Sequence, residues 1–395
     1  MKKFMMFASI RLTVACLFWL TVLTFWGTLY QKNHGIYQAQ DKFFNSYVLT
    51  PGIPEFTEGF LSNEVSQAVI RVLNYFPLPG GMLVMGLLFV NLLFSFFVHY
   101  QAGWRMPGLM LIHIGLMMML LGGFFTKLTG IEANVSLFEG EGRNAAISLT
   151  EWEISFSNEL HSVQKYQAVD VADLKAGRTF TFPDSGVEFE VLEVLDHARG
   201  VRPDPAAETS GLRPANSAGY VALEELEKLK NPESLEPGVR LKVKGVKGME
   251  EMVLTPRDQR PLGLELEDGS GRFVMLRKKR YELPLFMELN DFSRSYYPGT
   301  ETPSDYRSMI TVHLSEDLQR HVVIKMNEPF RLNGWTFFQQ SFAVTDNSEM
   351  SVFAVTRNFG RLIPYWATGI TSVGLAMHFL QMQWMQLARS RRRKS

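Results

Sequence analysis

The sequence has a single cysteine, Cys16, among 395 residues. One cysteine cannot form an intrachain disulfide, and it cannot supply a Cys-x-x-Cys pair for thiol exchange. The sequence also lacks a Walker loop, a glycine-rich dinucleotide fingerprint and the His/Cys spacing of a structural metal site. No recognisable hydrolytic triad is apparent. These absences leave no motif for nucleotide binding and no thiol–disulfide chemistry within the chain.

Charged side chains are missing from four long stretches, although Lys plus Arg and Asp plus Glu each total 40. A bilayer core about 30 Å thick needs roughly 20 apolar residues in a helix. The sequence therefore predicts an α-helical integral membrane protein with four transmembrane helices, at about 12–30, 82–100, 107–125 and 362–387. The first is interpreted as a retained anchor, because it is longer than the apolar core of a signal peptide and no small-x-small cleavage site follows it.

The distribution of basic residues predicts the orientation of these helices. The N-terminal tail, the turn around Arg105 and the tail "RSRRRKS" hold nine basic residues and no acidic one, whereas the remainder carries a net charge of −9. By the positive-inside rule, both termini and the 101–106 turn are cytoplasmic. We therefore expect a multi-pass membrane protein with its large domain in the periplasm or an equivalent compartment.

The segment between the third and fourth predicted helices has the pattern of a β-rich domain. Short β-branched or aromatic runs separated by Gly, Pro, Asn and Asp are typical of strands, and they lie at 147–156, 178–195, 239–246, 320–326, 335–342 and 350–356. The expected organisation is an N-terminal membrane region at 1–127 with an outer loop at 31–80, an extracytoplasmic β-rich domain at 128–361, and a final helix with a basic tail at 362–395. One amphipathic helix is predicted within 220–238.

Three local motifs receive structural interpretations. "GEGRN" (140–144) is interpreted as a turn, and "RKKR" (277–280) as a solvated edge or turn rather than a ligand site. The aromatic set Trp335, Phe337, Phe338 and Phe342 is assigned to the core in preference to a cofactor platform.

Three histidines fall in or at the ends of the predicted membrane helices: His99, His113 and His378. An ionisable ring within a bilayer needs a partner, and such groups mark functional sites by default. His113 lies about 12 Å from Arg105 along a helix, and His378 lies about 16 Å from Arg389. Both depths fall in the cytoplasmic half of the bilayer, so the two rings could share a haem. The alternative is an interhelical hydrogen bond, with Gly108, Gly115, Gly122 and Gly123 serving helix packing. His99 is expected at the interface.

Four local patterns resemble the ResB/CcsB family of System II cytochrome c biogenesis, and they occur in the family's order. "FWGTLYQ" resembles a Gly-Thr-x-x-x-Gln span ending, and "HIGLMMMLLGG" resembles a His-Leu-Gly segment followed by small residues. "DFSRSYYPGTETPSDYRSMITV" and "KMNEPFRLNGWTFFQQSF" resemble the pieces that precede the family's last span. The resemblance covers nearly the whole chain in architecture.

The resemblance implies a function. Proteins of this family act with a CcsA-type (ResC-type) membrane partner to move haem b across the membrane and attach it to apocytochrome c. The resemblance also implies that His113 is an axial ligand of the haem iron and that the opposing ligand comes from the partner. This assignment is an alternative to a haem shared by His113 and His378. The chain has no fused CcsA half, so we expect the accessory half of a haem lyase, with haem bound transiently. Two rival hypotheses are a membrane-anchored chaperone or assembly module without haem and a redox subunit with a stable bis-His haem.

Overall fold

A computed structural model describes residues 7–49, 77–101, 106–158, 166–183, 185–202, 219–227, 229–258, 261–315, 318–345 and 348–392, with the backbone alone at 99–101. The chain divides into two compact units, Met1–Gly130 with Arg357–Ser395, and Ile131–Thr356. Lys2, Lys3, Arg105, the end of the basic tail and most of the predicted outer loop lie outside the described residues.

The first unit is helical. Its elements in chain order are α1 Ile10–His34, α2 Ile36–Ala39, a π-helical turn Gln40–Phe44, the paired short strands β1 Val48–Leu49 and β2 Leu78–Pro79, α3 Gly81–Gln101, α4 Pro107–Thr129 and α5 Ile363–Arg392. Ser9 caps α1 by accepting a hydrogen bond from the Arg11 backbone nitrogen at 3.3 Å, and Pro107 opens α4, where its missing N–H costs nothing. Buried side chains of α1 and α3 form a small apolar cluster that Met117 and Leu120 of α4 join.

Three of the described helices are long and apolar enough to cross a membrane: α1, residues Gly81–Val98 of α3, and α4. Helix α5 covers the fourth predicted span, but it is not in this group because Thr, Ser, His and Gln side chains dilute its apolar content. The helical character of all four segments agrees with the sequence, while insertion of α5 into a bilayer stays a prediction.

The second unit is β-rich. Its strands are β3 Ile131–Phe138, β4 Gly142–Ser157, β5 Tyr166–Asp170, β6 Thr179–Thr181, β7 Glu188–Leu195, β8 Ala198–Val201, β9 Ala222–Glu225, β10 Gly238–Lys244, β11 Glu251–Leu254, β12 Leu262–Glu265, β13 Gly271–Tyr296, β14 Pro303–His313, β15 Gln319–Lys325, β16 Phe330–Leu332, β17 Trp335–Val344 and β18 Glu349–Arg357. Within the described residues they form a ten-stranded sheet, a four-stranded sheet and the two-stranded β8–β9 sheet. Each predicted strand region is confirmed, and the predicted 140–144 turn joins β3 to β4.

Two apolar cores stabilise this unit. One lies against the four-stranded sheet and includes Phe189, Leu241 and Met252; the other includes Leu289 and Phe353 from the ten-stranded sheet. Their alternating buried positions follow the two-residue period of strands. The core assignment of the aromatic set is confirmed for Trp335 and Phe337, which are buried, whereas Phe338 is 39% exposed.

Two local predictions are wrong. The 220–238 segment is not an amphipathic helix, because Ala222–Glu225 pairs with Ala198–Val201 as a strand and only a short 3-10 turn follows at Pro232–Ser234. Cross-strand pairing here overrides the local helical preference of Ala, Leu and Glu. The 277–280 run is not a solvated turn either. It lies inside the 26-residue strand β13 and is half-buried, and the charges of Arg277, Lys278 and Lys279 are engaged by Glu153, Asp170 and neighbouring aromatic rings.

Candidate functional site

His113 lies in the first half of α4, and its ring is held in a defined orientation. Its Nδ1 is 2.8 Å from the Leu109 carbonyl oxygen, one helical turn earlier. A carbonyl only accepts hydrogen bonds, so Nδ1 must carry the proton and the lone pair of a neutral ring belongs to Nε2. Histidines that ligate a metal usually donate their other ring N–H to a carbonyl or carboxylate in this way. The arrangement therefore makes Nε2 the ring nitrogen suited to ligate a metal.

The opposite side of α4 is a seam of glycines that packs on α5. Gly108, Gly115 and Gly122 recur every seven residues and are the buried residues of α4. A Cβ atom at Gly108 would come within 2.5 Å of the His378 backbone nitrogen and 2.6 Å of the Gly374 carbonyl oxygen. These three glycines therefore bring a second helix into close contact, which is the helix-packing role considered from the sequence.

Helical geometry places the His113 ring away from this seam. At 100° per residue, position 113 is rotated by roughly 140–160° from Gly108 and Gly115. It shares a face with Met117 and Leu120, which pack against the α1–α3 cluster. His113 thus projects on the α1–α3 side of α4, and the structure does not bring it together with His378.

His378 is on α5 at the seam, and its surroundings differ from those of His113. Its backbone packs on Gly108, and its Nδ1 is buried without a hydrogen-bond partner among the described residues. A ring nitrogen without a partner has no second group to fix its tautomer or orientation. His378 therefore lacks the orienting contact that His113 has. The side chain of His99, the third candidate, lies outside the described residues.

A buried polar cluster between α1 and α3 was not predicted from the sequence. Asn91 is fully buried, accepts a hydrogen bond from the Thr13 hydroxyl at 2.6 Å, and donates to the Phe7 and Ser9 carbonyl oxygens. Interhelical hydrogen bonds of this kind hold apolar helices in register. The signal in the sequence was one Asn within an apolar run, which a count of charged residues does not detect.

The described features define a class of protein: three helices apolar enough to cross a membrane, with an oriented histidine on one of them, accompany a large β-rich unit. The profile of the ResB-like family matches residues 243–383, which run from β10 into α5 and include His378 but not His113. Protein NrfI of Wolinella succinogenes is 23% identical over 337 residues, covering 82% of this chain. The chain spans about a third of the length of that curated relative, of which 32% is covered.

The chain is therefore similar to the ResB-like family over residues 243–383 and to Protein NrfI over most of its own length.

Proposed function

We propose that this chain is a ResB/CcsB-type membrane subunit of a cytochrome c synthase. It acts with a CcsA-type partner to move haem across the membrane and to attach it to apocytochrome c. The match of residues 243–383 to the ResB-like family and the three apolar helices support this assignment. The chain contributes an oriented imidazole to haem handling and contains no second cysteine for thiol reduction.

The proposed location is the bacterial inner membrane, with both termini in the cytoplasm and the β-rich unit on the outer side. The asymmetry of the basic residues supports this orientation, since nine lie in the segments assigned to the cytoplasm. Helix α5 completes the even number of spans. Its small and polar residues pack against the α4 glycines, so its lower apolar content is compatible with a position against another helix.

His113 is the proposed axial ligand, and the observation that carries the proposal is the hydrogen bond from its Nδ1 to the Leu109 carbonyl oxygen. Haem, when bound, would supply an iron, and Nε2 of His113 is the nitrogen that would hold it. The protein supplies the fixed tautomer through Leu109 and apolar walls from α4, including Met117 and Leu120.

The second axial ligand is proposed to come from the partner subunit. His378 lies at the glycine seam, whereas helical geometry places His113 on the opposite side of α4, so this packing does not favour both rings on one iron. A haem ligated at His113 would therefore need a ligand from outside this chain, which makes stable haem binding dependent on the partner.

Absorption spectroscopy tests the proposal. The full chain is purified with and without a co-expressed CcsA-type partner, and the haem Soret band is measured for wild type, His113→Ala, His378→Ala and His34→Ala. His34 is a matched control, because its Nδ1 also lies against the carbonyl four residues earlier, at 3.3 Å from Tyr30. We expect a band that requires the partner, is lost in His113→Ala and is retained in His34→Ala and His378→Ala.

Other outcomes separate the rival functions. A full band from the isolated chain that disappears with either His113→Ala or His378→Ala would establish a bis-His redox subunit and refute the partner-supplied ligand. The absence of a band in every preparation, with cytochrome c maturation nevertheless dependent on the chain, would favour a chaperone or assembly module without haem.

A further inference from the structure

The two motifs that received structural interpretations from sequence, "GEGRN" and "RKKR", meet in the β-rich unit. Together they line a cavity of about 450 Å³. The first motif contributes Glu141, Gly142 and Arg143, the second contributes Arg280, and Ile147 and Phe286 add apolar walls. Small-molecule sites usually occupy about 300–1,000 Å³, so the cavity is large enough to hold a ligand.

An irregular pairing of β13 with β4 opens this cavity. Glu282 pairs with Ala145 and Met287 pairs with Arg143, so four residues of β13 lie opposite a single residue of β4. One of the four is Pro284, which has no N–H to give to the ladder. Bulges redirect side chains and are common beside functional sites. This one places Phe286 at the cavity wall.

Gly142 fixes the position of that aromatic wall. A Cβ atom at Gly142 would lie 2.4 Å from the Phe286 ring carbon Cζ, which means that the ring packs directly on the glycine backbone. Phe286 remains 42% exposed, and its other neighbour is His313, whose ring centroid is 5.6 Å away. An aromatic surface that is held in place and still open is suited to contact an apolar ligand.

The charges lining the cavity are not balanced. Arg143 forms two hydrogen bonds to one oxygen of Glu141, at 3.0 and 2.6 Å. Arg280 is half-buried and forms no ion pair within the described part of the chain. Burial and the nearby Arg277 lower the pKa of Arg280, but its guanidinium stays charged. Two cations and one carboxylate leave one net positive charge on the lining.

We propose that this cavity binds a monocarboxylate carried on an aromatic or otherwise apolar body. The planar guanidinium of Arg280 matches a carboxylate in geometry. One net positive charge compensates a carboxylate, whereas the second charge of a phosphate would remain uncompensated. The apolar walls favour a ligand with a hydrophobic body over a fully hydrated ion. This site is independent of the proposed haem function, because its residues lie wholly in the β-rich unit.

Binding of 2-naphthoate to the purified full chain in detergent tests the proposal by isothermal titration calorimetry. We expect saturable binding that Arg280→Gln weakens by at least about tenfold, as for loss of a charge-assisted hydrogen bond. The neutral isostere 2-naphthamide should bind at least about tenfold more weakly than 2-naphthoate on the same basis. Arg331→Gln is the matched control, since Arg331 is exposed on β16 and outside the cavity.

A second variant keeps the test decisive if Arg280→Gln does not fold, as judged by near-ultraviolet circular dichroism. Phe286→Ala leaves the charges in place and should weaken 2-naphthoate severalfold through loss of the aromatic wall. The proposal is overturned if wild type does not bind 2-naphthoate, if folded Arg280→Gln or Phe286→Ala binds it as wild type does, or if inorganic phosphate or 2-naphthamide binds equally well.

Discussion

Substitution of Gly108 by alanine should separate α4 from α5. The three atoms nearest to the Cβ atom would all be backbone atoms of α5: the His378 nitrogen at 2.5 Å, the Gly374 oxygen at 2.6 Å and the His378 Cα at 2.9 Å. Non-bonded carbon contacts are favourable near 3.5–4.0 Å, so the helices would have to move apart locally by about 1 Å. Backbone atoms cannot rotate away as the end of a side chain can.

The size of the effect follows from two opposing terms. Overpacking a close contact costs typically about 1–3 kcal/mol. Replacement of a helical glycine by alanine returns at most about 1 kcal/mol through helix propensity. The net result for Gly108→Ala is a loss of up to about 2 kcal/mol, with the close backbone contacts placing it toward the upper end.

Gly123→Ala is the matched control on the same helix. A Cβ atom at Gly123 meets nothing within 4 Å among the described residues, so only the propensity term applies and stability should be unchanged or slightly higher. The assay heats each purified variant in detergent and measures by size-exclusion chromatography the temperature at which half of the protein remains monodisperse. A Gly108→Ala variant as stable as Gly123→Ala would refute the close packing of α4 on α5.

Three further predictions concern buried polar groups. Glu153→Leu leaves the buried Arg277 guanidinium without the carboxylate that lies 2.9 Å away, which should lower the free energy of unfolding by about 3–5 kcal/mol. The exposed Glu265 is the control, and Glu265→Leu should cost at most about 1 kcal/mol. Thermal unfolding followed by circular dichroism measures both, and equal effects would contradict the burial of the Glu153–Arg277 pair. Burial raises the pKa of Glu153 even beside Arg277, so the folded state retains a proton that the unfolded chain has already released. The free energy of unfolding should therefore fall as pH rises through the raised pKa, and Glu153→Gln should remove that part of the slope; an unchanged slope would refute it. Asn91→Ala leaves the Thr13 hydroxyl without its acceptor and should cost about 1–3 kcal/mol, seen as a lower temperature of half-inactivation in detergent, and an unchanged temperature would contradict the interhelical bond.

The large elements could be predicted from the sequence because their signals are regional. Long uncharged runs marked all four helices, and alternating apolar residues marked the strands at 239–246 and 350–356. The prediction of a helix in 220–238 was wrong because strand pairing with Ala198–Val201 outweighs the helical composition of the segment, and no local window contains that contact. The same limit applies to "RKKR", in which Arg277 and Lys279 are paired with carboxylates more than a hundred positions away, Glu153 and Asp170.

The candidate site could likewise be predicted only in part from the sequence. His113 was identifiable as a lone imidazole in an apolar helix, and the heptad of glycines was visible beside it. Which side of α4 each would occupy depends on the docking of α5, which lies far along the chain. The sequence placed His113 and His378 at depths that allowed a shared ligand, and only the packing shows that His378 lies at the glycine seam and His113 on the opposite side of α4.

Rescue by imidazole is the most direct test of His113 as the axial ligand. The complex of His113→Gly with a CcsA-type partner is purified, and its Soret absorption is recorded before and after addition of imidazole. We predict that the substitution abolishes the haem band and that imidazole restores it, because the free ring occupies the space of the missing side chain and offers its own nitrogen to the iron. A full Soret band in His113→Gly without imidazole would contradict the assignment of His113 as a haem ligand.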